Sequence, residues 1–444
     1  MFQTFINAWK IADLRKKLLY TAFIVLIFRI GAALPVPFVN ITGGIITDQY
    51  ANNFMTYLSM MTGDAFNYGT LFAMSITPYI NASIIIQLLT VAIPPLERLA
   101  KEGEEGRKKI SAITRYTAIG LAAMQSTAYY FYIRAQGYLT VAASGAKYTG
   151  FWAVFQALVI ILCYTAGAAL LMWLGEQVND KGIGNGISII LFAGIVSRMP
   201  TTLYSLYAYM DRGGAYFALI PIAFISMILM IAYIVWMDNA ERRIPVQYAK
   251  RVVGRKMYGG QNTHIPIKVN MCGVLPVIFA SSILSLPPTI QMFVKLDNPE
   301  GNKMHAFWQG FFNIFQTDHW AYALMYFVLI IFFAYFYAAI QYNPIEMANN
   351  IRRNSGAVPG IRPGKPTSDY ITKILSRITL LGALLISVVA LFPILFSQIT
   401  ALFDKQVNLS LGGTSIIIMV GVALETVKQL ESQMMMRHYK GFLD

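Results

Sequence analysis

The stretch FWAVFQALVIILCYTAGAALLMWL, residues 151–174, contains 24 residues and not one charged side chain. A helix needs about 20 consecutive apolar residues to cross the hydrocarbon core of a bilayer, so this stretch predicts a transmembrane helix. Outward from it in both directions lie nine further apolar stretches of similar length. The ten predicted spans are residues 18–38, 71–93, 112–133, 151–174, 183–206, 216–237, 271–294, 319–341, 374–399 and 410–430.

The composition of the whole chain agrees with a protein that is embedded in lipid. Of its 444 residues, 56% are hydrophobic and 13% are charged, whereas a soluble domain carries roughly 25% charged residues. So little charge cannot cover the surface of a water-soluble protein, which excludes soluble enzymes, disordered chains and coiled coils. Cys163 and Cys272 both lie in apolar runs, so neither a disulfide framework nor a cysteine zinc site is indicated.

The distribution of Lys and Arg predicts the orientation of the chain, because these residues concentrate in cytoplasmic loops. The N-terminus, the alternate loops and the C-terminus, counted with the ends of the adjoining spans, carry 25 of the 35 Lys and Arg residues. The remaining loops carry 7. We therefore expect both termini to face the cytoplasm.

Ten spans divide into two sets of five. The second span of each set contains a proline, Pro78 in the first set and Pro276 in the second. An odd-numbered unit that occurs twice has inverted topology, an arrangement used by many channels and transporters. We expect an all-α polytopic membrane protein with ten transmembrane helices in two inverted five-helix halves, residues 1–206 and 207–444.

Two segments depart from a plain helical bundle. Residues 52–70, NNFMTYLSMMTGDAFNYGT, are apolar and face outside but are too short to span. Such a segment is either re-entrant, with its backbone buried in protein or lining an aqueous cavity, or an amphipathic helix on the outer surface, and both remain open. In GIGNGIS, residues 182–188, no strand precedes the glycines. This favours a tight turn at the start of a helix over a phosphate-binding loop.

Two cytoplasmic loops are unusually long and basic. Residues 238–270 carry seven Lys and Arg residues, and residues 342–373 carry five, together with several Pro and Gly residues. Loops of about 30 residues are usually functional or disordered, and the Tyr, Ile, Val and Pro content argues against disorder. The charges either hold the topology or form a basic platform for ribosomal RNA or an acidic protein.

The sequence lacks the motifs of the common enzymes and pumps. It contains neither a Walker-type GxxxxGK[ST] motif nor HExxH, and few ionisable residues lie within the spans, among them Arg29 and Glu425. We expect no enzymatic activity and no cofactor. A secondary transporter would need more ionisable ligands at the midplane, and an insertase that works without a motor would not need such long basic loops.

Seven motifs occur in the order that one known family has them. They are FRIG at 28–31, TPYINASIIIQLL at 77–89, EGEEGRKKI at 102–110, LMWLGEQ at 171–177 followed by GIGNGISI, THIPIKVNMCGVLPVIFASSI at 263–283, SGAVPGIRPG at 355–364 and LGGTSIII at 411–418. Over nearly its whole length the chain closely resembles the SecY family, the channel subunits of the bacterial protein-translocation complex.

The resemblance implies an hourglass channel in the bacterial cytoplasmic membrane, formed by two halves around a central pore. Such a channel opens across the membrane for secreted chains and sideways, between spans two and three and spans seven and eight, for hydrophobic segments. The implied partners are SecE, SecG, the motor ATPase SecA, the ribosome and secretory precursor polypeptides. Any ATP hydrolysis would be carried out by SecA.

The resemblance also assigns roles to particular residues. The pore ring comprises Ile76, Ile80, Ile187, Leu191, Ile278 and Ile418, where Leu191 replaces a more common isoleucine. A plug at 54–66 includes Met55, Leu58, Met61 and Phe66, and the nearby Asp64 is an unusual charge in this position. Basic docking residues for SecA or the ribosome are Arg243, Arg251, Arg255 and Arg362.

Overall fold

The computed structural model describes residues 2–41, 43–45, 59, 62–139, 150–210, 216–248, 251–253, 256–258, 262–284, 287, 308, 310–312, 314–315, 319–354, 356–402 and 413–440. The first nine helices are α1 Phe2–Lys10, α2 Ala12–Ala33, α3 Thr77–Ala92, α4 Pro94–Lys101, α5 Glu104–Gln136, α6 Phe151–Lys181, α7 Gly186–Met210, α8 Tyr216–Asn239 and α9 Leu275–Leu284. They are followed by α10 Trp320–Gln341, α11 Pro344–Arg353, α12 Lys365–Leu402 and α13 Gly413–Lys440. The strands are β1 Glu241–Tyr248, β2 Arg251–Val253, β3 Lys256–Tyr258, β4 Asn262–Lys268 and β5 Gly356–Ala357.

The described part of the chain contains six helices that are long and apolar enough to cross a membrane, and α3 with α4 would make seven if that bent pair is one span. The axes of α3 and α4 differ by 101°. Helices α2 and α5 overlap the predicted first and third spans, but both begin with a charged turn and neither is among the six. Helix α9 covers ten residues of the predicted seventh span. The chain is thus a polytopic helical membrane protein, while the count of ten remains a prediction.

The two prolines that marked the predicted repeat lie at the beginnings of their helices. Pro78 occupies the first turn of α3, and Pro276 is the second residue of α9. Backbone N–H groups in the first turn have no partner within the helix, so proline removes no hydrogen bond there. These prolines therefore start helices and do not kink them.

The chain divides into two compact units. The first comprises Met1–Tyr216, Ser285–His319 and Val422–Asp444, and the second comprises Phe217–Leu284 and Trp320–Gly421. The division into halves at residues 206 and 207 stays a prediction.

The core of the first unit surrounds the segment 62–76, which leads into α3. The Phe66 ring packs against Tyr129 of α5 at a centroid distance of 4.7 Å, and the Tyr129 hydroxyl donates to the carbonyl oxygen of Phe66. Tyr164 of α6 donates to the carbonyl oxygen of Gly69 at 2.9 Å. Both tyrosines are buried, so α5 and α6 hold the segment by hydrogen bonds in an apolar surrounding.

The two long basic loops meet in one small sheet in the second unit. Strand β1 pairs antiparallel with β4, from Glu241 opposite Lys268 to Gln247 opposite Asn262, and its Gln247 also pairs with Ala357 of β5. The short strands β2 and β3 form a separate antiparallel pair.

The chain is therefore mostly helical, and the sheet corrects the expectation of an all-α protein. Ile244 and Val246 of β1 are buried while Arg243 and Gln247 are exposed. This alternation is the period-two pattern of a strand with one buried face, and it was visible in the sequence. The buried side of the sheet packs on α11 and α12.

Candidate functional site

The start of α3 carries two of the predicted pore residues. Ile76 precedes the first helical residue and is buried, and the backbone N–H of Ile80 donates to the carbonyl oxygen of Ile76 at 3.1 Å. Residues four apart in a helix lie on the same face, so Ile76 and Ile80 form one continuous apolar surface.

The glycine-rich stretch before α7 forms the turn that the sequence predicted. The side-chain oxygen of Asn185 accepts from the backbone N–H groups of Ile187 and Ser188, which caps the helix, and Gly184 has φ +85°. A Cβ on Gly186 would overlap the carbonyl oxygen of Gly175 on α6. Glycine at this position therefore lets α7 begin in direct contact with α6.

This close contact brings predicted pore residues from two helices together. A Cβ placed on Gly175 would lie 3.6 Å from both Ile76 Cδ1 and Ile187 Cγ1. The two side chains thus converge on one point of α6. Leu191, one turn after Ile187 on α7, is buried. The structure therefore brings Ile76 and Ile187 together at α6, while Ile80 and Leu191 lie one turn further along α3 and α7.

The remaining two predicted pore residues belong to the second unit. Ile278 lies on α9 and Ile418 on α13, and both are buried. The carbonyl oxygen of Ile278 accepts from the Ser281 hydroxyl at 2.9 Å. Gly413 is the first residue of α13, and a Cβ at this position would overlap the carbonyl oxygen of Val389 on α12. Glycine therefore lets the two helices lie in direct contact.

The predicted plug is described only at its end. Met55, Leu58 and Met61 lie outside the described residues. Phe66 is part of the core of the first unit, as described above. Asp64, whose charge was unexpected here, has a defined partner on α7.

Two ion pairs connect elements of the first unit and were not predicted. Asp64 Oδ1 lies 3.1 Å from Arg198 Nε on α7, and Arg115 Nε on α5 lies 2.6 Å from Glu176 Oε1 on α6. Arg29 of α2 donates from Nη1 to the Ser197 hydroxyl of α7 at 2.8 Å. The sequence marked Arg29 and Asp64 as unusual charges but did not identify their partners.

Three of the four predicted docking residues are described, and they lie on β1, on β2 and in the turn before α12. The exposed Arg243 of β1 bonds Glu241 two residues earlier, with 2.7 Å between Nε and Oε1. Arg251 belongs to β2, and Arg255 lies outside the described residues. Arg362 is exposed between two turns, and its carbonyl oxygen accepts from the Thr367 hydroxyl at 2.9 Å.

No group of His, Cys, Asp and Glu within the described ranges could hold a metal ion. The candidate sites are instead the apolar side chains on the helix faces described above and the basic residues on β1, on β2 and in the turn around Arg362.

Comparison with known proteins shows which family has this combination. The chain matches the family described as SecY over residues 70–427. It is 43% identical to the protein translocase subunit SecY of Mycobacterium bovis over 457 aligned residues, and 41% identical to that of Streptomyces galbus over 446, with both chains fully covered in each case.

Solved structures give the same fold. The chain resembles a protein conducting channel with a TM-score of 0.61 at 18% identity, covering 94% of this chain and 92% of the other. It also resembles Sec61 in the canine ribosome–channel complex from the endoplasmic reticulum, with a TM-score of 0.60 at 16% identity and coverages of 94% and 92%.

Proposed function

The chain belongs to the SecY family, and from this membership we propose that it forms the protein-conducting channel of a translocase in the bacterial cytoplasmic membrane. It conducts unfolded secretory polypeptides across the membrane and releases hydrophobic segments into the lipid. The observation that carries the proposal is the end-to-end similarity to protein translocase subunits at 43% identity. The fold of known protein-conducting channels supports it.

We propose that the pore is closed by the six aliphatic residues Ile76, Ile80, Ile187, Leu191, Ile278 and Ile418. The convergence of Ile76 and Ile187 on Gly175 supports this assignment for the first half. A ring of branched aliphatic side chains expels water and so blocks ions, yet it deforms around a passing peptide. The plug at 54–66 would cap this ring from outside, with Phe66 as its anchored end.

We propose that the sheet of β1, β4 and β5, together with the turn around Arg362, forms a platform. This platform binds the partner that drives translocation. Exposed arginines on a rigid support suit carboxylates of a protein or phosphates of RNA, since the guanidinium binds both through two parallel hydrogen bonds. SecA and the ribosome are the proposed partners here, and SecE and SecG are the proposed small subunits. The channel itself would hydrolyse no ATP. One of the structurally similar proteins, Sec61, was solved in a ribosome–channel complex, which supports the ribosome as a partner.

Reconstitution tests the function directly. The chain is purified with SecE and SecG, incorporated into vesicles, and supplied with SecA, ATP and a secretory precursor. We expect the precursor to become protected from added protease only when SecA and ATP are both present. A precursor that stays fully accessible under these conditions, in vesicles that contain the intact complex, would contradict the proposal.

The proposed topology of ten spans with both termini in the cytoplasm predicts a labelling pattern. In a variant with Cys163 and Cys272 replaced by alanine, single cysteines in the loops 134–150 and 295–318 should react with a membrane-impermeant maleimide added from outside. Cysteines in the loop 238–270 should react only after the membrane is permeabilised. Outside labelling of the 238–270 loop in intact cells would overturn the orientation.

A further inference from the structure

A small cluster of charged and polar side chains lies in the first unit where α2, α7 and the segment 62–76 meet. Asp64 Oδ1 lies 3.1 Å from Arg198 Nε and also accepts from the Ser59 hydroxyl at 2.8 Å. Next to it, Arg29 Nη1 donates to Ser197 at 2.8 Å. The cluster thus ties three elements together that are far apart in sequence.

The backbone of the segment fits closely against this cluster. Gly63 has φ +63°, and a Cβ at this position would lie 2.9 Å from both Arg29 Nη1 and Ser197 Oγ. Asp64 follows with φ +69°, a left-handed conformation that aspartate tolerates better than most residues. These two consecutive left-handed residues direct the Asp64 carboxylate toward α7.

The charges lie in a place where charge is costly. The side chains of Arg198 and Asp64 are only 18% and 22% exposed. In the proposed topology α7 runs from the cytoplasmic side outward, so Arg198 lies in its outer part, beside Asp64 near the end of the proposed plug. Ionisable residues at such depth are rare and usually have a defined partner with a functional role.

The contact between the two groups is an ion pair without a well-directed hydrogen bond. Within the described part of the chain, Arg198 Nε and Nη1 are buried and make no hydrogen bond. The attraction is therefore mainly Coulombic. Such a pair is strong enough to hold a segment in place in a poorly hydrated site, but it separates without the loss of several directional bonds.

We propose that Asp64 and Arg198 are positioning residues for translocation: their ion pair fixes the segment 62–76 against α7 in the resting channel, and a passing polypeptide separates them. This inference rests on the proposed channel function. Tyr129 and Tyr164 hold the segment at Phe66 and Gly69 through neutral hydrogen bonds. The ion pair secures the segment two residues before Phe66, at Asp64, where the segment overlaps the end of the proposed plug.

The test uses the complete reconstituted complex and measures two quantities. These are ion conductance of the resting channel in planar bilayers and translocation of a precursor with a defective signal sequence. Asp64→Asn keeps the shape and the left-handed conformation but removes the charge. We expect resting conductance to rise on the order of tenfold, which corresponds to a loss of about 1.4 kcal/mol in the stability of the resting state.

Charge-retaining and control variants separate the pair from a general loss of structure. Arg198→Lys should keep conductance near the wild-type value, whereas Arg198→Gln should raise it as Asp64→Asn does. Lys101→Gln breaks an exposed ion pair of the same unit, with Glu97 on α4, and should leave resting conductance unchanged. If Asp64→Asn does not accumulate in the membrane, the resting conductance of Arg198→Gln is compared with that of Arg198→Lys, and this comparison decides whether the charge of the pair matters.

The double variant Asp64→Asn with Arg198→Gln supplies the decisive comparison. If the two residues act through one pair, the double variant should conduct no more than either single variant, because it leaves no buried charge alone. Additive increases, or equal conductance in all variants and wild type, would overturn the proposal. Wild-type complex must translocate a normal precursor in the same preparation, so a failure of the channel function itself is recognised separately.

Discussion

Replacing Ile80 by serine, or Ile278 by asparagine, should make the resting channel conduct ions and accept precursors with defective signal sequences. A hydroxyl or amide group stabilises water inside a constriction that branched aliphatic side chains keep dry. Each reduction of about 1.4 kcal/mol in the free energy needed to hydrate the constriction raises conductance about tenfold. Both variants should therefore show at least a severalfold rise in resting conductance.

Each of these variants has a matched control on its own helix. Ile85 lies on α3 like Ile80 but is 39% exposed, whereas Ile80 is 9% exposed. Ile283 lies on α9 like Ile278 and is on the exposed side of that helix. Serine at Ile85 and asparagine at Ile283 should leave conductance unchanged. Equal conductance of ring variants, control variants and wild type would rule out the proposed ring.

Most of the helical architecture could be predicted from the sequence because each span is decided locally. A run of apolar residues as long as 151–174 has few alternatives in a membrane, and the structure forms α6 there. The turn at 182–188 was likewise predictable, since Asn185 and its glycines act on adjacent backbone groups. Pro78 and Pro276 are evident in the sequence, but their position in the first turn of each helix was not predicted.

The features that sequence reasoning missed depend on contacts between distant residues. The partner of Asp64 is 134 positions later in the chain, and nothing near Asp64 in the sequence indicates Arg198. The pairing of β1 with β5 joins two loops that are separated by several helices. The alternation of apolar and polar residues in β1 was a local signal, but the high charge of residues 238–270 made the whole stretch resemble an ordinary basic loop.

Replacing Arg362 by glutamate should impair SecA-driven translocation strongly while leaving the channel folded. Arg362 is exposed, and the residues around it fix its backbone. Gly360 and Gly364 adopt φ +81° and +107°, and the Thr367 hydroxyl bonds the Arg362 carbonyl oxygen at 2.9 Å. Val358, four residues earlier, is buried in the core of the second unit. The turn therefore keeps its shape when the side chain changes, and the guanidinium remains available to a partner.

The size of the effect follows from the loss of one charge-assisted contact and the repulsion that replaces it. A hydrogen bond to a charged group contributes about 1.5–3 kcal/mol, so SecA affinity should fall roughly ten- to a hundredfold. Arg362→Lys should have an intermediate effect, because an ammonium group keeps the charge but lacks the planar pair of donors.

The measurements are SecA affinity, SecA-dependent import of a precursor into vesicles, and the amount of channel that accumulates in the membrane. Arg134→Glu is the control, because it reverses an equally exposed charge at the end of α5 that faces outside in the proposed topology. That variant should bind SecA and import precursor normally. Normal SecA binding and import by Arg362→Glu would refute the docking role, and so would a variant whose only defect is that it fails to accumulate.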